Sequence, residues 1–153
     1  IAWGPRPALR VLFLCSGNSA RSILAEAILN LKNASLEGRR VRGHSAGSQP
    51  TGSVEPGALE LLGDRTYRLD RLHSKSWDTF TSDSAPPIDW VITLCDSAAR
   101  ETCQTFAGEG RRLHWGLPDP VGGAASFVDT YQAIEEYITA FLEELGADQN
   151  HSP

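Results

Sequence analysis

The chain predicts an α/β fold, a four-stranded parallel sheet in the order 2-1-3-4 with helices on both faces. Three observations lead there. Short apolar runs alternate with helical patterns, which is how parallel strands joined by crossovers read in sequence. The first run, Leu9-Arg10-Val11-Leu12-Phe13-Leu14, is apolar at all but one position, as a strand buried on both faces must be. The last strong pattern, Ser126 to Leu145, sets Phe127, Tyr131, Ile134, Ile138, Phe141, Leu142 and Leu145 on one helical stripe.

The elements follow in order. Leu9 to Leu14 is the first strand. Ser22 to Lys32 is a helix, with Ile23, Leu24, Ala27, Ile28 and Leu31 at helical spacing, and it dissolves over Asn33 to Gly38. A short second strand is expected around Val41 to His44, followed by a loop from Ala46 to Gly52. Glu55 to Leu62 is a helix opened by Pro56 and closed by Gly63. Asp64 to Leu72 is connective, Ser74 to Phe80 has a short helical pattern, and Thr81 to Pro87 is a Ser/Pro loop. Ile88 to Leu94 is the third strand and ends at Cys95; Asp96 caps a helix running to about Phe106. Arg111 to Trp115 is the fourth strand, and Gly116 to Pro120 is too rich in proline to be regular. The domain spans 9–147. Residues 1–8 read as a linker or expression remnant, with no methionine to mark a natural start, and 148–153 as a polar tail.

At 153 residues the chain suits one domain with a sizeable core. A net charge of −5, from 14 basic and 19 acidic side chains, argues against nucleic acid or an anionic membrane as general partners. No apolar run approaches transmembrane length and no signal peptide is visible. Three cysteines fit functional thiols in a reducing, cytoplasmic location better than a disulfide framework.

The chemistry concentrates at Cys15-Ser16-Gly17-Asn18-Ser19-Ala20-Arg21-Ser22. Strand, small-residue loop and helix start together make an oxyanion cradle, in which backbone N–H groups converge and the helix offers its positive end. The same field favours thiolate, so Cys15 is read as the nucleophile. Arg21 can fork onto two oxygens of the anion, and the Ser22 hydroxyl is placed to bond the thiolate or a loop carbonyl. The plainer alternative is a small buried cysteine with Arg21 solvated. Asp119, between Pro118 and Pro120, is the best general acid, against the alternative of a turn aspartate. The four histidines are assigned no catalytic role, Trp77, Trp90 and Trp115 are read as packing residues, and Arg111-Arg112 as solvated.

The order 2-1-3-4 makes strands 1 and 3 neighbours, and ligands bind at such a switch point. Cys15 and Cys95 would sit at matching strand ends about 4.8 Å apart, inside the roughly 4.4–6.8 Å that a disulfide spans between Cα atoms. Cys95 and Cys103 differ: eight residues of helix separate them by about 12 Å. They can bridge only if Asp96 to Thr102 unwinds, which predicts a thiol relay coupled to local melting. Two alternatives stay open, that these two are small buried residues, or that the cysteines and a histidine form a zinc site. No pair has tight metal-ligand spacing, so no metal is assigned.

The sequence resembles the arsenate reductases that share the low-molecular-weight tyrosine phosphatase fold, a flavodoxin-like architecture. The stretches that carry it are Leu14 to Ser22 with Leu24 to Ala27, Ser45-Ala46-Gly47, Ser74 to Trp77, Val91 to Asp96 with Cys103, and His114 to Pro120. They run from about residue 9 to 142, and the Cys95 and Cys103 pair points to the reductase branch. The resemblance implies that Cys15 attacks arsenate held by the loop amides and Arg21, and that Asp119 protonates the departing oxygen. Cys95 then attacks Cys15 and expels arsenite, Cys103 attacks Cys95, and thioredoxin or another external thiol reduces the final disulfide. No bound cofactor and a monomer are implied. The chain departs from the family pattern at Gln104, where many relatives have proline. It departs again at Lys75-Ser76, where some members carry an acidic residue that helps bind a monovalent cation near the positions of Asn18 and Glu26, and the lysine charge is expected to stand in for that ion. A phosphatase, or a non-catalytic thiol redox sensor, is the other reading of the same residues.

Overall fold

A computed structural model describes residues 8–15, 20–36, 38–47, 51–63, 72–76, 88–94, 111–117 and 126–147. The elements are β1 (Leu9–Leu14), α1 (Arg21–Lys32), β2 (Ser35–Leu36), β3 (Arg39–Ala46), α2 (Pro56–Gly63), β4 (Trp90–Thr93), β5 (Arg111–His114) and α3 (Phe127–Leu145). The helix expected from Asp96, the two chain ends and residues 64–71, 77–87 and 118–125 lie outside the described residues.

One sheet runs β2-β3-β1-β4-β5. Its parallel strands take the expected order 2-1-3-4. β1 pairs with β3 from Leu9↔Val41 to Leu14↔Ala46, and with β4 from Val11↔Trp90 to Leu14↔Thr93. β1 is central because its side chains can be buried on both faces. Val11 and Phe13 enter the main core with α1, α2 and α3, while Leu12 and Leu14 join Ala46 and Val91 in a second buried cluster. Both faces of β1 are therefore closed to water.

Three expectations need correction. Asn33 to Gly38 is not wholly irregular: Ser35–Leu36 turns back antiparallel on Arg39–Arg40 and adds a short fifth strand. Asn33 and Gly38 make this possible by adopting positive φ, 48° and 83°. The second strand is longer than expected, starting at Arg39, because backbone pairing with β2 holds two arginines extended. Ser74 to Ser76 is not helical. It is extended, with a parallel bridge Gly47↔Ser76 and Gly47 N–H donating to the Lys75 carbonyl at 3.0 Å. A tertiary pairing here overrides a local pattern.

α1 is wedged between the sheet and α3. Ser22 to Leu29 are all buried, while Leu31, placed on the apolar stripe by its spacing, is 40% exposed. The close fit needs Gly43 on β3: a Cβ there would stand 3.1 Å from the Glu26 carbonyl oxygen. Asn30 closes the contact, its Oδ1 accepting from Gly43 N–H at 2.7 Å and its Nδ2 donating to Gly43 C=O at 3.2 Å. α3 follows its sequence signals. Ser126 Oγ accepts from Asp129 N–H at 3.0 Å, and Gly146 ends the helix at φ 77°. Trp115 packs as expected, between Phe13, Phe141 and the stacked ring of Tyr137. Arg111 is exposed over Trp90, but Arg112 is half-buried, with a covered Nη2, rather than solvated.

Candidate active site

The site is assembled where β1 stops. Cys15 follows the last residue of β1 and its N–H donates to the Ala46 carbonyl at 3.3 Å, so β3 guides the chain one residue past the strand. This leaves the thiol buried, 3% exposed, at the carboxyl edge of the sheet. Its Sγ lies 3.0 Å from Ser22 Oγ.

α1 begins at Arg21, six residues after Cys15. Its N-cap is Ala20, which has no side-chain oxygen to bond a first-turn amide, and the first turn has no acidic residue. Helix starts usually carry such a group to satisfy their free N–H donors. Here the positive end of the helix faces Cys15 with no acidic side chain in its own first turn.

Arg21 is half-buried and its Nη1 donates to the Leu117 carbonyl at 2.8 Å. Leu117 is itself held on the end of β4, its N–H donating to Leu94 C=O at 3.1 Å, and Trp115 N–H donates to Thr93 C=O at 2.8 Å. Leu94 N–H in turn donates to Leu14 C=O at 2.8 Å. The ends of β1 and β4, the start of α1 and the stretch leading toward Pro118 are thus tied together by backbone and one guanidinium. Of the residues singled out from sequence, the structure brings together Cys15, Ala20, Arg21 and Ser22. Ser16, Gly17, Asn18, Ser19, Cys95, Cys103 and Asp119 lie outside the described residues.

Sequence reading assigned no part to Leu117 or to Ser45. A backbone carbonyl carries no sequence signal. Ser45 Oγ donates to Glu26 Oε1 at 2.7 Å, and Lys75 Nζ stands 3.8 Å from the same oxygen. Burial pushes the Glu26 carboxyl above the usual range and the Lys75 ammonium below its own, each opposed by the other's charge. The signal was a glutamate set among Leu24, Ala25, Ala27 and Ile28. His44 meets Arg10 Nη1 at 3.0 Å and is lowered to about 4, by burial first and then by the charges of Arg10, Lys75 and Arg42. His114 Nδ1 pairs with Thr93 Oγ1 at 2.7 Å. Among the described residues, no helix is long and apolar enough to cross a membrane, and no group of three or more His, Cys, Asp or Glu is placed to hold a metal.

Comparison with known proteins adds the following. The family model described as low molecular weight phosphotyrosine protein phosphatase matches residues 10–151. An arsenate reductase of Bacillus cereus (strain 03BB102) is 33% identical over 134 residues, which cover 87% of this chain and 93% of the relative. Two solved structures share the fold. The thioredoxin-dependent arsenate reductase of Corynebacterium glutamicum aligns with a TM-score of 0.68 at 24% identity, over 92% of this chain and 63% of that one. The low molecular weight protein tyrosine phosphatase of T. tengcongensis aligns with a TM-score of 0.72 at 22% identity, over 90% and 99%.

Proposed function

The chain belongs to the low molecular weight phosphotyrosine protein phosphatase family, and we propose that within it this protein is an arsenate reductase with Cys15 as nucleophile. The observation that carries the reading is the buried Cys15–Ser22 pair, 3.0 Å apart, at a helix start with no side-chain cap. A nucleophilic thiol and a tetrahedral oxyanion are the groups that such a helix start suits. The sequence adds Cys95 and Cys103, which a phosphatase does not need, and the Bacillus cereus relative is named for the reduction.

The proposed reaction runs in three steps. Arsenate is held by the amides of Ser16 to Ser22 and by the Arg21 guanidinium. Cys15 attacks arsenic, Asp119 protonates the departing oxygen, and water leaves a Cys15–arsenate adduct. Cys95 thiolate then attacks the Cys15 sulfur. The S–As bond breaks with its electron pair going to arsenic, so As(V) becomes As(III) and arsenite departs as the Cys15–Cys95 disulfide forms. Finally Cys103 attacks Cys95 and frees Cys15, and an external dithiol of the thioredoxin kind reduces Cys95–Cys103. A reducing, cytoplasmic setting and a monomer suit this cycle.

The test is arsenate-dependent NADPH consumption with thioredoxin and its reductase, on wild type and on each Cys→Ser variant. Loss of turnover in all three supports the relay. Retained turnover in Cys103→Ser assigns the last step to an external thiol. The family match favours one second reading, phosphatase activity, because the same cradle accepts phosphate. A Cys95→Ser variant that hydrolyses p-nitrophenyl phosphate normally, in a protein inert to arsenate, would establish that reading instead.

A further inference from the structure

Under the thiol lies an ion pair, its carboxylate buried and its ammonium half-buried, that the reaction scheme leaves unused. Glu26 stands four residues after Ser22 on α1, so the two side chains lie on the same face one turn apart. Glu26 is only 7% exposed. Its Oε1 accepts from Ser45 Oγ at 2.7 Å and faces Lys75 Nζ at 3.8 Å, while Lys75 Nζ donates to the His73 carbonyl at 2.8 Å. The backbone of Lys75 is tied as well, its carbonyl accepting from Gly47 N–H at 3.0 Å. Gly47 follows Ala46, whose carbonyl takes the Cys15 N–H. The contacts therefore close a ring: Cys15, Ala46, Gly47, Lys75, Glu26, and back one helical turn to Ser22 and the Cys15 thiol.

We propose that Lys75 is a positioning residue for the oxyanion pocket, neutralising Glu26 beneath it and locking the 72–76 segment to the turn of α1 that carries Ser22. The inference rests on the Cys15 loop being the oxyanion site. Two physical reasons support it. A buried carboxylate is tolerated only when paired and hydrogen-bonded. Beneath an anion pocket it has a second effect, since an unpaired negative charge there repels the ligand the pocket must hold. Among the described residues, the charged or titratable groups facing Glu26 are Lys75 and His73 from the 72–76 segment. From β3 comes the Ser45 hydroxyl, and His44 beside it stays uncharged down to about pH 4. Deprived of Lys75, the Glu26 carboxyl takes a proton at acid pH and becomes an uncompensated charge as pH rises.

The test compares wild type, Lys75→Arg, Lys75→Met and the double variant Lys75→Met/Glu26→Gln. The readout is phosphate protection of Cys15 against alkylation, with KM and kcat for arsenate alongside, from pH 5.5 to 8.5. Each variant is read as a ratio to wild type at the same pH. Lys75→Met is expected to weaken phosphate binding and raise KM by about fivefold or more at the alkaline end, the ratio shrinking toward acid pH, with kcat moved less. Lys75→Arg and the double variant should stay within about threefold of wild type throughout, a factor too small for a lost charge pair. If Lys75→Met does not fold, the double variant decides, because it removes the charge pair without leaving a lone charge. A Lys75→Met ratio independent of pH, or a double variant as impaired as the single one, overturns the proposal. Wild type that binds phosphate but never turns over arsenate overturns the reductase reading and leaves this one standing.

Discussion

The hydroxyl of Ser22 offers the sharpest test of the pocket. Its Oγ is 3.0 Å from Cys15 Sγ, and both residues are buried, Ser22 at 0% and Cys15 at 3% exposure. Water is not at hand to replace the hydroxyl. A hydrogen bond to a charged partner contributes about 1.5–3 kcal/mol under such conditions. At about 1.4 kcal/mol for each factor of ten, Ser22→Ala should lower kcat/KM by roughly 10–100-fold. The loss should be common to arsenate reduction and to p-nitrophenyl phosphate hydrolysis, because in the proposed scheme both begin with attack by Cys15. Steady-state kinetics on the two substrates measure it, and thermal unfolding checks that α1 is intact. A folded Ser22→Ala protein whose kcat/KM falls less than about threefold on both would show that the hydroxyl does not hold the thiolate.

Two further outcomes concern stability. His44 is held at about 4 against an ordinary 6.5, so the folded chain refuses a proton that the unfolded chain accepts between those values. The stability this provides is whole above about pH 6.5 and is lost as pH falls toward 4. The full shift corresponds to about 3 kcal/mol, which solvent screening of a half-buried ring reduces to about 1–2. Urea unfolding at neutral and acid pH should show the slope in wild type and a shallower one in His44→Gln; equal slopes would refute the assignment. Asn30→Ala removes both bonds to the Gly43 backbone, at 2.7 and 3.2 Å. The expected cost is about 1–3 kcal/mol, seen as a fall in Tm of about 3–10 °C for a chain of this size. No shift would mean that solvent satisfies Gly43 equally well.

How legible each part was depended on the kind of information it needed. β1 could be read because a strand covered on both faces must be apolar at successive positions, and Leu9 to Leu14 nearly is. α3 could be read because its cap, its stripe and its terminal glycine are all local. β2 could not, since Ser35 and Leu36 become a strand only by meeting Arg39 and Arg40. The 72–76 stretch misled for the same reason. Its extended form comes from Gly47 and Glu26, both distant in sequence. Leu31 shares the helical spacing of the buried residues of α1 yet is 40% exposed, because spacing does not say how far the packed surface extends.

By itself, the sequence determined the order of the four parallel strands, the ends of α2 and α3, and the place of the thiol between β1 and α1. Those follow from periodicity, capping and the adjacency of consecutive residues. Tertiary structure alone decided that Arg21 would be anchored by the Leu117 carbonyl, and that the Ser45 hydroxyl would donate to Glu26 where Lys75 faces it. Such meetings depend on how far apart the sheet sets its strands and how closely Gly43 lets α1 approach, and neither distance is written in any local stretch of chain.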